Sequence, residues 1–430
     1  MADLTESLEP YRNRKGIIKK RGGKEALQAL FAHFEGDLFQ AAEFLGYAAP
    51  EPLRRNWAAI GLKGVWTNPE GSNTYSEFVA AADPAAPSDL PDRLHALLLK
   101  HPKDTHTLLT LADEFDCSPK RIEAALADLS GGGFNISIGN RIELQREPLP
   151  QEPLRTGWAD HKLRFGIMSD THYENRFSCH EEIAGAYDFF AAEGITDVLI
   201  PGDLHDGPGE RGYPGHRQEA REECQTARQC VRYVSENFPC RKGITTHFIE
   251  SAKSHAGWEF AATGFDMGRS LAEGFSYTVP GPQGDELIHV PGRPDMHFLG
   301  HDDAPLLMGP EEKTKVRLYH PDGGSAYAWS YQLQKWAESI EGGNKPQACL
   351  FGHYHKFCHI RPRNIQVLSC ETMCWQTPFM LRKRLEAHVG FILLEMTVET
   401  DGTIRSFMPW EFPFFLGERR TFDMAQKEVA

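Results

Sequence analysis

Four short apolar runs in this chain each end in side chains that bind cations. Leu163-Arg164-Phe165-Gly166-Ile167-Met168-Ser169-Asp170-Thr171-His172 closes on a carboxylate and an imidazole two residues apart. Asp197-Val198-Leu199-Ile200-Pro201-Gly202-Asp203-Leu204-His205-Asp206 brings two further carboxylates and an imidazole. Val316-Arg317-Leu318-Tyr319-His320 and Ala348-Cys349-Leu350-Phe351-Gly352-His353-Tyr354-His355 add three more imidazoles. Mixed imidazole and carboxylate ligands suit Mn, Fe or Zn better than Ca. Two such ions sharing a carboxylate activate water and stabilise the leaving oxygen of an in-line displacement. One histidine among 19 says little by itself. An ordered set at the ends of four apolar runs is hard to explain by packing.

Each run reads as a buried strand carrying its ligand at the C-terminal end, the edge where layered α/β folds bind ligands. After strand 163–168 the pattern predicts a helix near 180–193, with Ile183, Tyr187 and Phe190 on one face. Strand 197–200 comes next, then a Gly/Pro loop at 206–215 and a long helix over 217–237. That helix would bury Ala220, Cys224, Ala227, Val231 and Val234, whose spacing alternates four and three. Strand 244–249 follows, and the alternation of strands and helices defines a layered α/β domain. Residues 256–315 read as an insertion or antiparallel hairpin region. Strands at 365–368, 389–396 and 404–408 would close a second sheet.

Upstream the chain is helical. Residues 11–24 are its most basic segment, either a DNA-contacting arm or a solvated terminus. Residues 24–34, 37–46 and 52–60 carry apolar residues at helical spacing, so residues 1–62 resemble a helix-turn-helix unit. Residues 63–89 are rich in Gly, Pro, Ser, Asn and Ala and read as a linker. Over 90–144 come a helix with Leu94, Leu97 and Leu98, and another with Leu108, Leu111, Ala112 and Phe115. A third, from Lys120 to Leu129, is introduced by Ser118-Pro119 as N-cap and first helical residue. Strands from Phe134 to Ile138 and Arg141 to Leu144 then meet about Gly139-Asn140, a tight hairpin turn. This order resembles a winged helix, in which the third helix enters the major groove by its N-terminal residues, here Lys120 and Arg121. A winged helix used for protein contacts has the same pattern, and the acids Asp92, Asp113, Glu114, Asp116, Glu123 and Asp128 weigh against DNA. A second linker, 145–161, leads to the site domain, 162–430.

Composition sets the outer limits. The 430 residues are 40 % hydrophobic and 25 % charged, ordinary for a globular protein of two or three domains. A net charge of −14 excludes a uniformly basic surface, though not a local basic patch. No apolar signal core opens the chain and no run of membrane-spanning length occurs, so no membrane partner is expected. The nine scattered cysteines make no zinc-type array and read as reduced thiols of a cytoplasmic protein.

Asp-x-His, Gly-Asp-x-x-Asp, a later strand-His and Gly-His-x-His, in this order, resemble the calcineurin-like metallophosphoesterases over about residues 162–410. The resemblance implies an α/β fold, a two-sheet metallophosphoesterase sandwich, here preceded by small helix-turn-helix and winged-helix-like domains. It implies two divalent metal ions, Mn first, with Fe or Zn as alternatives. Asp170, His172 and His355 would hold one ion, Asp203 would bridge, and His320 and His353 would hold the second. One element departs. Where the family carries Gly-Asn-His-Asp/Glu after the third strand, this chain has Glu250-Ser251-Ala252-Lys253-Ser254-His255. A loop two residues longer lets His255 restore the catalytic histidine but not the Asn. Glu250 could rebuild the site instead, and Lys253 could neutralise a phosphate. Asp206 is a candidate to orient a ligand histidine.

The function expected is a phosphoesterase acting on phosphodiester bonds of nucleic acid, DNA above all, with the N-terminal modules engaging it. A small-molecule phosphodiesterase or protein phosphatase is the enzymatic alternative, since nothing basic flanks the metal motifs in sequence. A DNA-binding or scaffold protein with a degenerate site is the other. Homo-oligomer formation is compatible with all of these. Met296-His297-Phe298-Leu299-Gly300-His301-Asp302-Asp303 looks ligand-rich but reads as a hairpin rather than a substrate loop, and Trp410-Glu411-Phe412-Pro413-Phe414-Phe415 as a segment packing back on the sheet.

Overall fold

The structure, a computed structural model, describes residues 23–34, 40–41, 53, 89–102, 104–139, 141–149, 151–208, 216–281, 284–324 and 326–414. Nearly all of the basic segment 11–24, the helices read at 37–46 and 52–60, and the linker 63–89 lie outside these residues. The chain divides into two compact units, Met1–Ser130 with Ile136–Leu144, and Gly131–Asn135 with Gln145–Ala430.

In the first unit α1 (Gly23–His33) is followed by α2 (Leu90–Lys100), α3 (Leu108–Phe115) and α4 (Pro119–Gly131). Strands β1 (Ile136–Ile138) and β2 (Ile142–Leu144) form an antiparallel hairpin. Thr107 begins α3 with a capping box, its hydroxyl accepting from the Thr110 N–H and the Thr110 hydroxyl accepting from its own. The helices bury Leu94, Leu98, Leu111, Ile122, Leu126 and Leu129, the apolar positions that the periodicity picks out. Lys120 is exposed.

The second unit is a sandwich of two six-stranded sheets. One runs β16-β15-β4-β5-β6-β9 and the other β13-β14-β12-β11-β10-β3. The first comprises β4 (Lys162–Ile167), β5 (Asp197–Ile200), β6 (Thr245–Glu250), β9 (Met296–His301), β15 (Gly390–Val398) and β16 (Ile404–Pro413). The second comprises β3 (Leu154–Arg155), β10 (Asp303–Met308), β11 (Thr314–Tyr319), β12 (Ala348–Phe351), β13 (Cys358–Ile360) and β14 (Gln366–Ser369). Leu163, Phe165 and Ile167 alternate along β4 and meet Leu306, Val316, Leu318 and Leu350 of the other sheet in one buried cluster. At about 2 kcal/mol for each buried side chain of this size, that interior holds the two sheets face to face. Outside the second sheet, α10 (Tyr331–Ser339) packs Leu333 and Ala337 on Cys349, Phe351 and Val367. Outside the first, Phe190 of α5 (His180–Ala192) lies over Gly166, where a Cβ would come within 2.7 Å of its ring.

Two features of the pattern supply the site. Strands β4, β5, β6 and β9 run parallel, as do β11, β12 and β14. Their C-terminal ends therefore present the ligand-bearing loops at a common edge.

Several expectations are corrected. The long helix over 217–237 is instead a short α6 (His216–Glu219) and a separate α7 (Ala227–Asn237). Thr226 opens α7 with a capping box to Gln229, so the chain stops and restarts within the apolar stripe. Ala220 and Cys224 are buried all the same, and burial outside a helix mimics the helical period. The segment 145–161 is no mere linker, because β3 within it pairs parallel with β10. Residues 256–315 hold α8 (Ala256–Thr263), α9 (Met267–Glu273) and the hairpin of β7 (Gly274–Gly281) with β8 (Gly284–Pro291). They also supply the sheet strands β9 and β10, so they are not a simple insertion. Met296–His301 is a strand beside β6, and no hairpin. The aromatic segment near the C-terminus packs back in part: β16 pairs with β15 and Phe412 stacks on Phe391 at 4.8 Å, while Trp410 stays exposed and Phe415 lies outside the described residues. All nine cysteines are free. Among the described residues no helix is long and apolar enough to cross a membrane.

Candidate metal centre

The loops after β4 and β5 are zipped together beyond the strands. The N–H of Asp170 donates to the Gly202 carbonyl at 3.1 Å, and that of His172 to the Asp203 carbonyl at 3.1 Å. The Asp170 carboxylate accepts from the His353 N–H at 2.8 and 3.0 Å and from the Ser169 hydroxyl at 2.5 Å. Its carbonyl accepts from the Thr372 hydroxyl at 2.7 Å. Two glycines make the assembly possible. A Cβ at Gly202 would overlap the His320 ring, and one at Gly352 would crowd both that ring and Ser169 Oγ.

The six residues named as ligands converge in two groups, Asp170 with His172 and His355, and Asp203 with His320 and His353. A third group, His172 with Asp206 and His255, shares His172 with the first. His355 Nε2 lies 3.3 Å from Asp170 Oδ1 and 3.2 Å from His172 Nε2. His320 Nε2 lies 3.0 Å from Asp203 Oδ2, and His255 Nε2 3.7 Å from the same oxygen. Asp206 Oδ1 sits 3.1 Å from Nδ1 of both His172 and His255, although for His172 the atoms are off a hydrogen-bonding line. Asn175 Nδ2 donates to its other oxygen at 3.0 Å. A proton on Nδ1 of His172 leaves its Nε2 lone pair facing the centre, the usual tuning of a ligand histidine.

Two observations say that these atoms are arranged for something other than each other. Asp203 Oδ1 and His355 Nδ1 are buried without a hydrogen-bond partner, a cost of about 1–3 kcal/mol apiece. Asp170, His172, Asp203, His255, His353 and His355 all hold positive φ, between 41° and 77°. They are half of the twelve described non-glycine residues in that region, each costing on the order of 1–3 kcal/mol. Divalent cations at the points of convergence fit this donor set: carboxylate and imidazole, buried, and short of partners.

The electrostatics follow from the same packing. Burial pushes the Asp170 carboxyl up, but the imidazoles of His355 and His320 outweigh it and hold it at about 2. Asp203, buried against His320 and His255, is held far below the carboxylate range. Burial lowers His320 and His255, yet Asp203 beside the first and Asp203 with Asp206 beside the second raise them to about 9 and about 10. Burial and the neighbouring His320 lower His353 to about 4. Burial and His255 lower His172. The centre is thus anionic at its two aspartates, as a cation site should be.

The altered third element also resolves. His255 caps the approach to α8 and reaches the centre from β6, as the longer loop requires. Glu250 does not: it is wholly buried and accepts from His205 Nδ1 at 2.7 Å and from the His205 N–H at 3.2 Å. Lys253 pairs with Asp322 at 2.6 Å on the surface. Asp302, in the ligand-rich stretch read as a hairpin, accepts on its carboxylate from the Ala252 N–H at 2.7 Å and on its carbonyl from the His320 N–H at 2.7 Å. Sequence reasoning missed Glu174, which accepts from the Asp206 N–H at 2.9 Å.

No protein-family model matches the chain, and no curated protein does. Similar solved structures include an archaeal phosphodiesterase, at 11 % identity over 58 % of this chain and 100 % of that one, TM-score 0.29. A second is the phosphoesterase Yfce of E. coli, at 14 % over 57 % and 98 %, TM-score 0.26. A third is Vps29 of Entamoeba histolytica complexed with zinc, at 13 % over 58 % and 99 %, TM-score 0.24. Likeness at this level leaves fold and function to be argued from the residues themselves.

Proposed function

We propose that this chain is a metal-dependent phosphoesterase that hydrolyses phosphodiester bonds in nucleic acid, DNA above all, with its N-terminal helical modules helping to engage the strand. The observation that carries the reading is the convergence of Asp170, His172, Asp203, His320, His353 and His355 at one edge of the sandwich, five of them at positive φ and with Asp203 Oδ1 and His355 Nδ1 buried without a hydrogen-bond partner. Asp170, His172 and His355 would hold one divalent ion, His320 and His353 another, with Asp203 between them. Mn is the first candidate, with Fe or Zn as alternatives. When bound, such a pair supplies an acidified water and charge neutralisation for a phosphoryl group.

The chain's own residues do the rest. Asp206 fixes the orientation of His255 through its Nδ1 and lies beside Nδ1 of His172. His255 is thereby aimed with Nε2 toward Asp203, and both carboxylates favour its protonated form. A proton on Nε2 can pass to the departing oxygen of a diester seated there, which makes His255 the general acid. Gly202 and Gly352 let the imidazole of His320 approach the backbone closely enough to reach Asp203.

The test is hydrolysis of linear duplex DNA, single-stranded DNA and a generic aryl phosphodiester with Mn²⁺, comparing the native protein with Asp203→Asn. The reading expects the native protein to cut DNA and the variant not to. His255→Gln should lower kcat by about 10²–10⁴ with metal content unchanged, the range for a lost general acid. Hydrolysis of the aryl diester alone would remove the nucleic-acid part. Silence on all three substrates with Mn²⁺ bound would leave a scaffold whose site has lost turnover.

A further inference from the structure

The loop that follows His320 carries three large aromatic side chains to the surface, Tyr327 at 104 % exposure, Trp329 at 46 % and Tyr331 at 52 %. It is fastened to the metal centre at its start, where the Gly323 carbonyl meets His353 Nε2. It is fastened again at Trp329, whose ring stands edge-on to His388 at 4.8 Å. The backbone N–H of His388 donates to the His355 carbonyl at 2.8 Å. Lys356, next to the ligand His355, holds its ammonium 5.5 Å from the Trp329 ring and 3.3 Å from Glu386. Just before Glu386 in the chain stand Arg382, Lys383 and Arg384, three consecutive exposed cations. In a protein of net charge −14 such a run is a distinct local patch. The run ends four residues before His388, the residue whose ring packs on Trp329.

We propose that Tyr327, Trp329 and the run Arg382, Lys383, Arg384 form a binding face for single-stranded nucleic acid along one flank of the metal centre. Exposed aromatic rings beside a cationic track are the components by which proteins hold single strands, the rings taking base faces and the cations the backbone. Paired bases already stack on their neighbours in a duplex, so only an unpaired strand offers faces to Tyr327 and Trp329. A protein partner would use the rings but has no repeating anion for the cationic run. The face rests on the phosphoesterase reading above for the chemistry next to it, yet its binding can be read without turnover.

The experiment uses the full chain in EDTA, so that no hydrolysis occurs, and follows anisotropy of a fluorescein-labelled oligothymidylate and of a labelled duplex of equal length. The native protein should bind the single strand more tightly than the duplex. Tyr327→Ala and Trp329→Ala should each weaken that binding about tenfold, the usual loss for one stacking partner. Replacing Arg382, Lys383 and Arg384 together by alanine should reduce the slope of log affinity against log salt by about 2. Because Tyr327 is fully exposed, its variant tests the face without a risk to folding; a melting curve checks the others. Equal affinity for duplex and single strand, no binding by the native protein, or aromatic variants within twofold of native would each overturn the proposal. Hydrolysis of an aryl diester by the native protein with Mn²⁺ separates the two readings, since it reports the metal centre and is independent of strand binding.

Discussion

Replacing Gly202 by alanine adds one methyl group, and the geometry fixes where it must go. The glycine has φ of 121°, and the new Cβ would overlap Nδ1 of His320 and stand 2.5 Å from its Cγ and 2.9 Å from its Cβ. The imidazole has nowhere to retreat: it is wholly buried, with Nδ1 donating to the Pro201 carbonyl at 3.1 Å. Overpacking of this kind costs about 1–3 kcal/mol, and the disfavoured backbone about 1–2 kcal/mol more. Gly202→Ala should therefore lose about 2–5 kcal/mol in urea unfolding with the slope unchanged. Displacing His320 should also weaken Mn²⁺ binding in calorimetry by at least tenfold. Gly185→Ala is the control, a position inside α5 with nothing within 4 Å of the new Cβ. It should gain about 0.5–1 kcal/mol and leave metal binding alone. Equal stability and Mn²⁺ affinity of Gly202→Ala and native protein would refute the close approach of His320 to the strand that delivers Asp203.

Glu250→Ala removes the hydrogen-bond partner of a wholly buried His205 and should cost about 1–3 kcal/mol, while Glu250→Gln retains an acceptor and should cost less; chemical denaturation of both variants reads the difference. Glu371 gives a pH dependence. Burial and the nearby Glu411 raise its carboxyl from 4.5 to about 8, so the folded state holds a proton that the unfolded chain releases. Its contribution is intact below pH 4.5 and is lost as pH rises through about 8, by at most about 5 kcal/mol. Stability should fall across that window in the native protein and fall less in Glu371→Gln; parallel curves would remove the assignment.

The legible part of the site was the part in which strand and ligand are neighbours in sequence. Asp170, His172, Asp203, His320, His353 and His355 each follow an apolar run, and burial of that run places them at one edge. His255 was found because a longer loop after β6 could carry it back. What stayed hidden depends on distant chain meeting distant chain. Nothing near Glu250 announces that it will be sealed against His205, and nothing near Arg382 announces Trp329. The positive φ of six site residues leaves no mark either, because the residues are kept for their side chains and not for the turn. The stripe at 217–237 misled for a related reason, since Ala220 and Cys224 are buried outside the helix. β3 has only two residues, too few for any periodicity, and it joins its sheet by backbone pairing alone.

The most direct measurement of the central claim is electron paramagnetic resonance of the full chain titrated with Mn²⁺. If Asp203 is shared as proposed, two ions per chain with an exchange-coupled spectrum are expected, and Asp203→Asn should leave at most an isolated six-line signal. A single uncoupled Mn²⁺ in the native protein, or none, would contradict a two-ion centre built on Asp203.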